Sequence, residues 1–121
     1  MKAETFSEFV VDQLRGLGEV RCRPMFGGFG LYLGGTFFGI VYQGQLFFKT
    51  DATTRREYTA RGMTPFRPNP RQTLKSYYEV PADILEDTSL LAAWAKKAVQ
   101  CQGSQSQKAG YSKQTFRRRK M

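Results

Sequence analysis

A chain of 121 residues is long enough for one domain and too short for two of ordinary size. Its 19 Lys and Arg against 10 Asp and Glu give a net charge of +9, which raises nucleic acid, an anionic membrane or an acidic partner as candidates. There is no histidine, which excludes His-based triads, imidazole acid–base catalysis and His-ligated metals; the two cysteines, Cys22 and Cys101, form neither a zinc pattern nor a disulfide framework.

The first residues, Met1 to Thr5, contain no apolar leader, and the expectation is a cytoplasmic protein with reduced thiols. Phe6, Phe9, Val10, Leu14 and Leu17 recur at helical spacing and predict a helix over 5–17, with a capping box at Thr5–Glu8 and Gly18 as its stop. A strand follows over 20–25, placing Val20 and Cys22 on one face and Arg21 and Arg23 on the other. Residues 25–48 carry no charge but include seven glycines, so they read as strands joined by Gly turns and not as a membrane span. Those strands are expected at 29–33, 36–42 and 45–50, with turns at Gly34-Gly35 and Gln43-Gly44.

A helix is expected over 53–61, capped by Asp51 or Thr53 and ended by Gly62. Pro65, Pro68 and Pro70 then impose an irregular or edge-type stretch. A fifth strand spans 75–80, Pro81 opens a short helix over 81–86, and a last helix runs over 88–101 with Leu90, Leu91, Trp94, Ala95, Ala98 and Val99 as its apolar stripe. This order predicts an α+β fold with an antiparallel sheet of about five strands.

Charge divides the chain near Cys101. Residues 1–100 hold 13 basic and 10 acidic groups, whereas residues 101–121 hold six basic groups and no acid. The reading is therefore a folded domain over 1–101 and a basic, flexible tail over 102–121.

The run Arg23-Pro24-Met25-Phe26-Gly27-Gly28-Phe29-Gly30-Leu31-Tyr32 resembles the signature of the TfoX (Sxy) N-terminal domain family. So do Leu46–Asp51, Gly62…Pro65-Phe66, Ser76-Tyr77-Tyr78-Glu79-Val80-Pro81 and Leu91…Trp94-Ala95…Ala98, in order over about residues 5–100. The resemblance implies a two-layer fold in which helices pack on an antiparallel sheet, similar to secretion chaperones. It also implies a link to natural competence, where family members co-activate DNA-uptake genes with a cAMP-receptor-type activator. Full-length regulators of that family add a C-terminal helical domain; here the basic tail follows instead, as expected of a stand-alone N-terminal domain.

Candidate sites follow from the residues. The Phe26–Gly30 loop leads into a strand and has Leu33 where a dinucleotide fingerprint needs Gly, so Met25, Phe26, Gly27, Gly28, Gly30, Tyr77 and Tyr78 are expected to be structural motif residues. Cys22 reads as a small core residue and Cys101 as a more exposed thiol prone to adventitious disulfides. Arg21, Arg23, Lys49, Arg55 and Arg56 are candidates for a basic surface that meets a protein partner, or are ordinary solvated charge. Phe47, Tyr77 and Tyr78 are weighed as exposed stacking platforms against the commoner fate of sheet packing. Lys113, Arg117, Arg118, Arg119 and Lys120 suit sequence-independent contact with phosphates, or form a solvated extension. No cofactor, metal or catalytic set is indicated. The expected function is a non-enzymatic interaction module in transcription or competence regulation, with the transcription machinery or a cAMP-receptor-type activator as partner; the alternative is weak nucleic-acid binding through the tail.

Overall fold

A computed structural model describes residues 3–25 and 27–105; Phe26 and the tail candidates Lys113, Arg117, Arg118, Arg119 and Lys120 lie outside the described residues. The elements are α1 (Ala3–Gln13), β1 (Val20–Met25), β2 (Gly28–Leu33), β3 (Thr36–Tyr42), β4 (Gln45–Lys49), α2 (Arg55–Ala60), β5 (Pro65–Asn69), β6 (Gln72–Glu79), α3 (Ala82–Leu85) and α4 (Thr88–Gln105). The fold is α+β, with one open sheet in the order β1-β2-β3-β4-β6-β5. Every neighbouring pair is antiparallel.

The sheet has six strands where five were expected. The proline-rich stretch is the edge strand β5, paired only with β6. An edge tolerates Pro65 and Pro68 because a missing N–H on the outer side costs no ladder bond, and the register slips at both ends of Phe66. Strand β6 accordingly starts at Gln72, three residues earlier than expected.

Helix boundaries also move. Helix α1 is already formed at Ala3, so the Thr5–Glu8 box lies inside it, and it ends at Gln13. Residues 14–17 continue as turns held by Leu14 N–H to the Val10 carbonyl (3.1 Å) and Leu17 N–H to the Leu14 carbonyl (2.9 Å). Helix α2 starts at Arg55 with Thr54 at its N-cap, so neither Asp51 nor Thr53 takes that position; Asp51 holds the turn ahead of it, its Oδ1 accepting from the N–H groups of Thr53 (2.9 Å) and Thr54 (2.8 Å). Asp87 accepts from the Leu90 N–H at the start of α4, at 3.0 Å. Helix α4 runs past Cys101 to Gln105, because adding a residue to an existing helix needs no buried side chain.

All four helices cover one side of the sheet. Phe6 and Val10 of α1, Leu14 of the turn that follows it, Ile84 of α3 and Leu91, Trp94, Ala95 and Ala98 of α4 pack there on Leu31, Phe38, Leu46 and Phe48. Tyr58 of α2 joins them, edge-on to Trp94 with ring centroids 4.7 Å apart. A second apolar cluster, Ile40, Phe47, Phe66 and Tyr77 with Phe37, Tyr42 and Leu74 around it, occupies the other side. The two arise from strand alternation, adjusted by a bulge: Leu31 faces Gly39 while Tyr32 faces Phe37, so Phe38 is the extra residue. The bulge turns Phe38 towards the helices and keeps Phe37 and Ile40 together on the opposite face.

The β5–β6 hairpin coils over part of that second face. Phe66 of β5 stacks against Phe47 of β4 (4.7 Å) and Tyr42 of β3 (5.2 Å), and the Tyr42 hydroxyl donates to the Pro68 carbonyl at 3.3 Å. Beneath the other part, β2 and β3 approach closely at Gly28, where a Cβ would overlap the Val41 carbonyl oxygen. Backbone cannot yield as a flexible side chain can. Gly28→Ala should therefore destabilise the fold by about 3 kcal/mol or more, at the upper end of overpacking costs. Gly30→Ala should cost less, because its Cβ would first meet the movable end of Met25 at 2.8 Å. Urea denaturation measures both; equal midpoints for Gly28→Ala and the parent protein would contradict the close approach.

Candidate functional site

The uncovered part of the second face carries a row of stacked side chains. Arg23 of β1 lies over the Tyr32 ring at 5.5 Å from its centroid. Tyr32 and Phe37 are cross-strand partners with centroids 5.2 Å apart and planes 30° apart. Phe37 in turn meets Tyr77 of β6 at 5.5 Å and 33°. Lys49 of β4 lies over Tyr77, its Nζ 5.2 Å from the centroid. Separations and tilts of this size are offset stacks, and each cation adds about 0.5–1 kcal/mol to a ring it covers at an accessible site.

The backbone explains the row. Alternation along β1 and β2 places Arg23, Met25, Gly28, Gly30 and Tyr32 on one side. Gly30 supplies the space in which Met25 Sδ, Phe37 and Tyr32 converge, each within 3.2 Å of where its Cβ would stand. Thus the glycine motif makes room for the row and does not form a phosphate cradle.

The row differs in exposure along its length. Tyr77 is buried at 6% exposure, and Phe47 at 5% lies in the cluster under the hairpin; the possibility of exposed stacking platforms at these residues is answered by sheet packing. Tyr32 and Phe37 are half-buried, Lys49 is half-buried and Arg23 is exposed. Lys49 Nζ donates to Ser76 Oγ at 3.1 Å, and burial, its largest influence, pulls the amine below its ordinary value. Among the described residues neither Arg23 nor Lys49 is in an ion pair.

The five basic candidates do not form one surface. Arg21 stands beside Arg23 on β1 but pairs with Glu19 at 3.6 Å, both side chains largely exposed. Arg55 turns to the helix side, where it donates to Thr50 Oγ1 (3.3 Å) and lies 5.9 Å over the Tyr78 ring, which itself packs on Tyr58. Arg56 is exposed on α2. The structure therefore brings together Arg23, Met25, Gly30, Tyr77 and Lys49, and adds Tyr32 and Phe37, which sequence reasoning did not single out. The alternation Gly28-Gly30-Tyr32 contained the signal for Tyr32, whereas the bulge that aims Phe37 left no trace in the sequence.

Neither thiol is placed for chemistry. Cys22 is half-buried against the helix-side cluster, as expected of a core residue, and burial pushes its thiol up. Cys101 corrects its expectation: it is only 3% exposed, because α4 continues beyond it and packs it onto the start of α2. Its Sγ donates to Asp51 Oδ2 at 3.4 Å and lies 3.8 Å from Thr54 Oγ1. Burial first, and the Asp51 carboxylate beside it, raise this thiol. Iodoacetamide at pH 8 should therefore alkylate Cys101 at least about tenfold more slowly in the native protein than in urea, since the reactive thiolate is both scarcer and covered. Equal rates by mass spectrometry would contradict that burial.

No group of three or more His, Cys, Asp and Glu able to hold a metal occurs among the described residues, and no helix among them is long and apolar enough to cross a membrane. An antiparallel sheet backed by the described helices on one side, with an aromatic and cationic row on the other, defines a small α+β domain. Comparison with protein families matches residues 12–102 to the TfoX N-terminal domain. The chain belongs to that family, and at the family's level it is a regulatory module of the competence type. No curated protein matches it.

Proposed function

We propose that the protein is a cytoplasmic, non-enzymatic regulator that works by protein–protein contact in transcription or competence regulation, and that it docks through the open sheet face. The observation that carries this reading is the row Arg23–Tyr32–Phe37–Tyr77–Lys49, which lies on the side of the sheet that none of the described helices covers. Partially exposed aromatic rings beside a cation are the side chains that supply binding energy at protein interfaces. The transcription machinery or a cAMP-receptor-type activator is the partner this reading favours.

Complementation of a deletion strain tests it. Restoring the parent gene should restore the transcript levels that deletion alters. Arg23→Glu with Lys49→Glu should fail to do so at equal protein abundance, whereas Arg56→Glu should succeed. Full rescue by the double variant would overturn the docking face.

A second reading rests on the charge of residues 101–121, six basic groups with no acid. They would add weak, sequence-independent affinity for nucleic acid. Six phosphate contacts would give duplex DNA a log–log salt slope of about −5. Deleting residues 106–121 should flatten that slope, and an unchanged slope in filter binding would refute the reading.

A further inference from the structure

Resting on the docking face proposed above, we infer that its occupant is an acidic, extended segment of a protein, with carboxylates spaced to reach Arg23 and Lys49 at once. The stacking pattern decides the chemistry. Arg23 approaches Tyr32 from the β1 side and Phe37 from the β3 side, so both faces of the Tyr32 ring are occupied. Phe37 is likewise held between Tyr32 on the β2 side and Tyr77 on the β6 side. These are the two half-buried rings of the row, so the solvent they meet is shared with ring and cation neighbours on either side.

A ring's rim is the positive part of its quadrupole. Rims flanked by two cations that have no carboxylate partner among the described residues make an electropositive ridge. Nucleic-acid bases would need free ring faces on which to stack, and here Arg23, Phe37 and Tyr77 already lie against Tyr32 and Phe37. Carboxylates, in contrast, are attracted by both the rims and the cations, and an apolar side chain between them can rest on the exposed ring edges. One acid, Glu79, lies on this side of the sheet, two residues from Tyr77 and opposite Phe47. It falls on the hairpin side of the row and sets a limit to the ridge there.

Geometry sets the spacing. Strands β1 and β4 are three positions apart, and Lys49 is two residues further along β4 than Phe47, the position level with Arg23 through Gly30 and Ile40. At ordinary sheet spacings the two anchor positions are about 15 Å apart, a span that about four or five extended residues cover.

The test is fluorescence anisotropy with a fluorescein-labelled peptide, Gly-Ser-Glu-Asp-Gly-Leu-Gly-Glu-Asp-Ser-Gly, added to the full chain. Binding is expected, and Arg23→Glu with Lys49→Glu should weaken it at least about tenfold, since two attractive contacts become repulsive. Circular dichroism melting of the double variant shows whether it is folded, and Tyr32→Leu, which removes a rim and keeps the charges, should weaken binding separately. Neutralising the tail with Arg117→Gln, Arg118→Gln and Arg119→Gln should leave the affinity within about twofold at 0.15 M salt, because Arg23 and Lys49 are the anchors and non-specific attraction is screened. The inference is overturned if only the tail variant loses affinity, if the folded double variant binds as the parent does, or if a labelled twelve-residue oligo-dT competes for the face and binds it more tightly. Should the peptide fail to bind while complementation still requires Arg23 and Lys49, the acidic occupant is wrong and the docking face stands.

Discussion

A sheet with large apolar residues on both faces must have both faces covered, and here helices cover only one. Everything distinctive in the structure follows from how the second face is managed. The β5–β6 hairpin coils back over it, so that Phe66 of the edge strand reaches Tyr42 although β4 and β6 lie between their strands in the hydrogen-bonded order. That closes the part of the face around Ile40 and Phe47, both at most 5% exposed. Among the described residues, none covers the part over β1, β2 and the start of β3. There the chain stacks rings against one another and sets a cation against the ring at each end of the row, which satisfies much of their apolar area without a second layer.

This management depends on residues with no side chain. Gly28 lets β2 lie close against β3, and Gly30 opens the space into which Met25, Tyr32 and Phe37 lean. The glycine-rich motif is thus structural in a specific sense: it is the floor of the row. The charge of the chain acquires a similar refinement. Two-thirds of the excess positive charge belongs to residues 101–121. Within the domain only two cations, Arg23 and Lys49, are built into the row, while Arg15, Arg61 and Lys97 answer to carboxylates on the helix side or at its margins.

Much of this architecture is legible in the residues, because its signals are local. The alternation of Val20 to Arg23, the Gly34-Gly35 turn and the apolar stripe of α4 each state their structure within a few positions. What escaped the sequence depends on partners far along the chain. Prolines at 65, 68 and 70 leave an irregular or an edge-type stretch open, and only the pairing of β5 with β6 decides for the edge strand. The burial of Cys101 depends on α4 packing beside the start of α2. The row itself was half visible: Arg23, Lys49 and Tyr77 were marked for their types, but nothing in the spacing joins residue 37 to residue 77. That link is made by the bulge at Phe38 and by β6 adding next to β4.

Incorporation of the photo-crosslinking amino acid p-benzoylphenylalanine tests the central claim most directly. Placed at Tyr32 or Phe37 and irradiated in cells, it should yield a discrete adduct of one mass, which the same group placed at Leu90, exposed on α4, does not yield. Adducts formed from Leu90 and absent from both sheet positions would show that the partner meets the helices and that the open face is not where this protein works.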